Sequence, residues 1–478
     1  MSIFMEKLKK DQRLLSIISF SLVSGWLLSV VFEGQILYNL MKNVNTEGMT
    51  HNTIAVLCHF MGLFISGFFI KKQVTARKAM ITSTMICILG SVIFFLPFSM
   101  LWYISIGVIA FFAGAYIVSW SFYFKIYSQR GQRFKTAASV LIYSNMLMIL
   151  INGVAVNISS LFGLALACIL LVAGLLLTFN LEASAKEKDY CTVQLEKSHQ
   201  EAFTSLRSLV ILCLFILIIT INSGLMYRVV LPAFSHHKLL TSYYWAIPYI
   251  AVLFLLKSSK NLINQGYVLH IALAMIGVSY IFFMWLDRSV RSYLMINTLM
   301  LAAFGVFDLF WWSILAEFFD YSDNPGKILG IGLSMNVLGI SIGGMVGENL
   351  FNTGETYLNA SLIALIIVCM MVVLLPILHM QLASFFKNDI FLFQSIDMEK
   401  HHQKIVVSEL KQNKKFTDRE TEIIELLLKG YTYKAIAKHL YISENTVKYH
   451  VKNIYQKLNI NNKMGLIKIF SEEEEKLV

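Results

Sequence analysis

The chain has 478 residues, of which 57% are hydrophobic and 14% charged, with 5 prolines and a formal net charge of +11. So few polar residues cannot cover that much apolar surface in water, so lipid is the expected solvent for most of the chain and a soluble enzyme is excluded as its main body. The excess positive charge sits in short loops and near the C-terminus, where it bears on topology and on nucleic acid respectively.

The first apolar run begins near Leu14, is longer than the apolar region of a secretory signal and lacks a cleavage site, so a retained membrane anchor is expected. A helix needs about 20 predominantly apolar residues to cross the hydrocarbon core. Twelve stretches meet that rule, at 14–38, 52–70, 79–97, 100–124, 136–156, 159–181, 208–232, 241–256, 267–286, 292–316, 328–347 and 357–380. Basic residues cluster before span one (Lys7, Lys9, Lys10, Arg13) and after spans two (Lys71, Lys72, Arg77, Lys78) and four (Lys125, Arg130, Arg133, Lys135). They recur after spans six (Lys186, Lys188, Lys197, Arg207), eight (Lys257, Lys260) and ten (Lys327), whereas the alternate loops hold only Lys42, Lys238, Arg288 and Arg291. That asymmetry predicts a multi-pass protein of the cell's inner, cytoplasmic membrane, with both termini on the cytoplasmic side.

The six cysteines, at 58, 87, 168, 191, 213 and 369, form no CxxC pair and have no histidine at zinc spacing. Neither a disulfide, a metal site nor a cofactor is expected. Ionisable side chains inside spans are costly and usually face a bundle interior or a water-filled cavity. They are Glu33 in span one, His59 in span two, Arg228 in span seven, His270 in span nine and Asp308 in span ten, with Glu317 and Asp320 at the end of span ten. Asp308 lies within Phe307-Asp-Leu-Phe-Trp-Trp312 and is the best placed of them for a functional role. Glu33 and Arg228 either reach water at the membrane surface, pair with each other, or meet a ligand. Trp120, Tyr227, Trp311 and Trp312 are either aromatic walls for an organic ligand or packing residues, and His59 and His270 read as hydrogen-bonded core histidines. In span eleven Gly339, Gly343 and Gly347 recur every four residues with Gly344 alongside, a strip that lets another helix approach, either as static packing or as a sliding seam.

Twelve spans, both ends on one side and a long central loop at 182–207 resemble the major facilitator superfamily. The resemblance covers residues 1–380, in halves 1–181 and 208–380, and rests on architecture. The superfamily's Gly/Asp/Gly/Arg pattern after span two is met only in part, because Gly67 is followed by Lys71-Lys72-Gln-Val-Thr-Ala-Arg77-Lys78 with no aspartate. That departure weakens the expectation of transport and leaves the fold. The resemblance implies that spans one, four, seven and ten line a central cavity, which makes Glu33, Trp120, Arg228, Asp308, Trp311 and Trp312 its ligand-contact candidates.

Residues 381–415 read as a juxtamembrane linker, aromatic first and polar after. Beyond it, Thr417 followed by Glu420 fits a capping box that opens a helix with Ile424, Leu427 and Leu428 on one face and Gly430 as its stop. A short second helix turns Ile436, Ala437 and Leu440 to a core, and Ser443 caps a third. There Val447, Val451, Ile454 and Leu458 follow i, i+4, i+7, i+11 as one buried stripe. Asn445, Lys448, Tyr449, Lys452 and Gln456 form a second stripe, cationic and hydrogen-bonding, as insertion into a DNA major groove requires. From 416 to 470 nine Lys and Arg stand against five Asp and Glu.

This segment resembles the helix-turn-helix of the LuxR/FixJ/NarL family, matching Gly430, Ile436-Ala437, Ser443-Glu444, Thr446-Val447-Lys448, His450, Asn453-Ile454 and Lys457-Leu458. The resemblance implies four helices over 416–471, the third reading the groove, and dimers on promoter half-sites. Lys448, Tyr449 and Lys452 take its base-facing positions, with Asn445, Thr446 and His450 near the DNA backbone. Ala435 stands where the family usually has glutamate, and a small loss of stability is expected there. A closing helix near 463–471 offers Leu466 and Ile467 for dimer packing, and residues 472–478 form an acidic, solvated tail.

The expected fold is all-α, a facilitator-like bundle of twelve spans joined to a four-helix DNA-binding head. No receiver domain, kinase signature or phosphate-binding loop is present to supply an input, and no catalytic residues are expected. The reading is a membrane-embedded one-component transcriptional regulator, with DNA, lipid, an unidentified small molecule and RNA polymerase as partners. The alternatives are a secondary transporter, proton-coupled through Asp308 or Glu33, that carries an accessory head, and a bundle that merely anchors the head.

Overall fold

The computed structural model describes residues 11–32, 35–41, 49–182, 199–244, 246–258, 265–351, 356–386, 416–428, 433–458, 460 and 465–466. All regular structure among them is helical. They fall into two compact units, one drawn from residues 1–188 and 205–379, the other from 189–204 and 380–478.

In the first unit, among the described residues, eleven helices are long and apolar enough to cross a membrane. The first half comprises α1 (Gln12–Leu27), α2 (Met49–Phe69), α3 (Gln73–Val92), α4 (Met100–Tyr127), α5 (Arg130–Asn157) and α6 (Ser160–Phe179). The second comprises α7 (His199–Leu225), α8 (Ile247–Ser258), α9 (Gln265–Trp285), α10 (Val290–Glu317), α11 (Pro325–Phe351) and α12 (Thr356–Phe386). The eighth predicted span is the exception, because α8 has 12 residues. At about 1.5 Å per residue that is roughly 18 Å, short of the ~30 Å hydrocarbon core. The predicted stretch is broken instead into Lys238–Tyr243 and α8, with Pro248 in the first turn of α8, where a proline is tolerated but cannot continue a preceding helix.

Two boundaries differ from expectation in a way that matters. Helix α5 begins at Arg130, six residues before the predicted 136, so its basic first turns are helical rather than loop. Helix α12 runs to Phe386, into what reads as linker, and the remaining linker lies outside the described residues. Helices α1 and α7 both continue into a π-helical turn, Leu28–Phe32 and Met226–Val230.

Large apolar side chains such as Leu89, Ile104, Phe162 and Val373 point outward from α3, α4, α6 and α12. Lipid solvates such a surface, and the helical backbone leaves no polar group open to it. Inside, α2 and α3 pack on α4, α1 on α5 and α6, and α8 and α9 on α10. The halves meet where α2 lies against α11 and α5 against α8. Helix α10 is the most buried of the long helices.

The glycine strip of α11 is a backbone seam. A Cβ on Gly339 would strike the Leu217 carbonyl and the Thr220 hydroxyl, and one on Gly343 the Ile221 carbonyl, so α11 rests directly on α7. Gly344 differs, since a Cβ there would meet nothing within 4 Å.

The second unit contains α13 (Asp418–Leu428), α14 (Tyr433–His439) and α15 (Glu444–Leu458). Ile423, Ile424, Leu427, Ile436, Val447, Val451, Ile454 and Leu458 close a common core. That is the buried stripe expected from the spacing. Gly430, Ile467 and the acidic tail lie outside the described residues, as do the side chains of Leu428 and Ala435.

Candidate nucleic-acid interface and polar sites of the bundle

The capping box forms as predicted. The Thr417 N–H donates to Glu420 Oε2 at 2.8 Å, and the Glu420 N–H donates to Thr417 Oγ1 at 3.2 Å. Glu420 has a second partner that spacing does not reveal. Lys457 Nζ donates to the same oxygen at 2.6 Å, tying the last turn of α15 to the first of α13. Burial pushes the Glu420 carboxyl up, but the hydrogen bonds from Lys457 and Thr417 outweigh it and hold the group below the usual carboxylate range. A carboxyl whose pKa falls on folding adds stability that is present above its unfolded value, about 4.3, and lost as pH falls through the folded one. Protection of α13 and α15 amides from hydrogen exchange is therefore expected to hold from pH 7 to about 5 and to fall below about pH 4. Glu420→Gln should remove that acid-dependent part; an unchanged profile in the variant would show that Glu420 is not its source.

Between α14 and α15 the backbone turns at Tyr441, which has φ 53° and a side chain 96% exposed. A residue with a Cβ is strained there by about 1 kcal/mol, and asparagine tolerates the conformation best after glycine. Arg419 Nη2 donates to the adjoining Leu440 carbonyl at 2.6 Å, which holds the turn against α13. Tyr441→Asn is expected to stabilise the head by about 1 kcal/mol, read from the same amide protection. A loss instead would mean that the tyrosine ring makes a stabilising contact.

The Ser443 hydroxyl accepts the Thr446 N–H at 3.1 Å and pairs with the Thr446 hydroxyl at 2.7 Å, fixing where α15 starts. Opposite the buried stripe, Asn445, Lys448, Tyr449, Lys452 and Gln456 are all exposed. Lys448 leans on Glu444 one turn back at 2.9 Å. An exposed pair of that kind is worth a few tenths of a kcal/mol, little for a phosphate to displace. Thr446 and His450 are half-buried, and the His450 ring meets Tyr449 edge-on at 5.8 Å between centroids. Leu466 corrects an expectation: it is fully buried in the head's own core, so it is not a dimer surface.

In the bundle the ionisable groups sort differently from their sequence reading. Glu33 lies outside the described residues. Arg228, in the π-helical turn of α7, pairs with Glu348 in the last turn of α11 at 3.1 Å, one residue beyond the predicted end of span eleven at 347. Asp308 accepts a 2.6 Å hydrogen bond from the Tyr249 hydroxyl of α8. His59 is buried and bonds the Ala110 carbonyl at 2.9 Å, as expected of a core histidine. His270 is instead exposed on the outer face of α9.

Trp120 and Trp312 come together. Phe20, Trp120 and Trp312 stack across α1, α4 and α10 with centroids 4.3–6.4 Å apart, and the Trp120 indole donates to the Ser16 carbonyl. In this arrangement they pack the contact between halves. Trp311 stacks on Phe307, and its indole N–H is buried without a hydrogen-bond partner.

A network of charges between the halves joins Arg130 and Arg133, which the sequence presents as loop residues, to Glu317 and Asp320 at the end of span ten. Arg133 is 3% exposed and grips Asp320 with both arms, Nη2 to Oδ1 at 2.7 Å and Nη1 to Oδ2 at 2.8 Å. Its Nη1 also reaches the Ala316 carbonyl at 3.0 Å and Glu317 at 3.3 Å, while Arg130 Nε meets Asp320 at 2.5 Å. Nearby, Lys125 donates to the Ser322 carbonyl at 3.0 Å and Asn324 to the Gly67 carbonyl at 2.9 Å. The early start of α5 carries Arg133 to this position.

Residues 414–470 match the family described as bacterial regulatory proteins, luxR family. The transcriptional regulatory protein DegU of Brevibacillus brevis is 51% identical over 47 residues, 10% of this chain and 20% of that protein. A nitrate/nitrite response regulator protein homolog of Haemophilus influenzae is 39% identical over 57 residues, 12% of this chain and 27% of its own length. The chain thus spans about a quarter or less of these relatives, and the likeness is that of the head. The fold of the bundle is that of major facilitator proteins. The human organic anion transporter MFSD10 (TETRAN) superposes with a TM-score of 0.58 at 13% identity, over 78% of this chain and 99% of that one. The proton:xylose symporter XylE superposes with a TM-score of 0.57 at 13% identity, over 77% and 95%.

Proposed function

We propose that this chain, a facilitator-fold bundle carrying a luxR-family helix-turn-helix, is a one-component transcriptional regulator whose bundle senses a small molecule and sets DNA binding by the head. The observation that carries the reading is the exposed cationic stripe of α15 on the same polypeptide as a bundle whose halves are joined by an ion network around the buried Arg133. Loop charge supports placing both termini on the cytoplasmic side, where DNA is. A ligand that binds one arrangement of the halves better than the other shifts their equilibrium by that difference in affinity, and by no more. The Arg133–Asp320 contact has to open for the halves to part at that end, so it is the element on which such a shift acts. The head then meets promoter half-sites as a dimer and contacts RNA polymerase.

Genome-wide crosslinking of the full-length protein to DNA in its own cell tests the reading. Discrete sites that vanish in Lys448→Ala/Lys452→Ala support a regulator. An absence of sites across growth conditions would transfer the reading to a secondary transporter with an accessory head.

A further inference from the structure

A cavity of about 100 Å³ lies where α2, α7 and α11 converge, at the end of the bundle away from the Arg133–Asp320 network. Its polar wall is Asn52, Thr53, Ser341, the Arg228–Glu348 pair and Tyr227, an aromatic wall the sequence also offered, and its apolar wall includes Val56 and Ile340. Three features mark it as built. Arg228 projects from a π-helical turn, an irregularity that recurs at functional sites because it re-aims one side chain. The glycine seam draws α7 and α11 together so that the two charges meet. Gly344, alone of the strip in facing open space, lines the cavity and leaves it room.

We infer that this cavity binds a small zwitterion, an α-amino acid with a short aliphatic side chain. The two charges set the class. A simple carboxylate would satisfy Arg228 and strip Glu348 of its partner, and a simple amine would do the reverse; a molecule with both charged groups on one carbon replaces the pair on both sides. Size sets the limit, since a cavity of ~150 Å³ holds the six carbons of a benzene ring and this one accordingly encloses roughly four non-hydrogen atoms, which restricts the side chain to about a methyl group. Val56 and Ile340 receive the aliphatic part. The inference supplies the ligand class for the sensing proposed above and rests on that reading for its consequence, though not for the binding itself.

The test uses purified full-length protein in detergent and calorimetric titration with L-alanine, propionate and ethylamine, the last two carrying one charge each. L-alanine is expected to bind, and each single-charge analogue about 10- to 100-fold more weakly. Arg228→Gln and Glu348→Gln are expected to weaken L-alanine by a similar factor. Gly344→Leu should fill the cavity and abolish binding with little change in melting temperature, because its Cβ meets no neighbour. L-tryptophan, too large, should not bind. No L-alanine binding to the wild type, or binding indifferent to Gly344→Leu and Arg228→Gln, overturns the site. Binding as expected with promoter occupancy unmoved by L-alanine upholds the site and overturns the sensing reading alone.

Discussion

Removing both lysines of the α15 stripe, Lys448→Ala/Lys452→Ala, is expected to weaken specific DNA binding by roughly 10²- to 10⁴-fold, because each groove interaction removed costs about 1–3 kcal/mol. The two side chains are exposed and one turn apart on the face opposite the head's core. Within the head the change breaks the exposed Lys448–Glu444 pair, so stability should move by less than about 0.5 kcal/mol. Salt separates base from phosphate recognition. Each phosphate contact adds about 0.9 to the slope of log affinity against log salt, so two phosphate lysines flatten it by nearly two. Base-reading lysines would relax sequence preference at named positions instead. Titration of a promoter fragment at several salt concentrations reads both, and unchanged affinity would exclude α15 as the reading helix.

The second large effect is expected at the other end of the chain's chemistry. Asp320→Ala leaves Arg133, 3% exposed, without its bidentate partner, and Glu317 at 3.3 Å replaces little of it. Stranding a buried charge costs about 3–5 kcal/mol, whereas exchanging the whole pair for apolar residues of similar size is often neutral. The arrangement in which this contact is made should thus lose about 3–5 kcal/mol in Asp320→Ala, a shift of roughly 10²- to 10⁴-fold in any equilibrium between arrangements. Arg133→Met/Asp320→Leu should recover most of the stability. In melting experiments the single variant falls and the double returns; in cells the single variant should regulate independently of ligand. If neither melting nor promoter output responds, the network is not the element that couples the halves.

How much of the molecule is legible in its sequence follows from the range over which each feature acts. Local periodicity carries the head: Val447, Val451, Ile454 and Leu458 are buried as their spacing demands, and Thr417 caps with Glu420 three residues on. Hydropathy carries the spans, because crossing lipid is a matter of length, and it fails only at the break before α8. Pairs of residues far apart in the chain have no such signal. Arg133 and Asp320 are 187 positions apart, and Arg228 and Glu348 are 120. Counting charges by loop assigns Arg133 to topology and leaves Arg228 without its acid. Leu466 shows a further limit: an apolar residue on a short helix does not say whether its partner is its own core or another copy.

The π-helical turns Leu28–Phe32 and Met226–Val230 fall near the distal ends of the first helix of each half, a matched pair of register faults. Each holds one residue more than an α-helical turn of the same height. If the fault slides along the helix, each residue it passes advances by about 1.5 Å and swings through about 100°. For α7 that movement would carry Arg228 away from Glu348 without disturbing the glycine contacts below it at Leu217 and Thr220. Near its end the first helix of each half is thus wound more loosely than the shaft beneath it, like a screw whose thread changes at the tip.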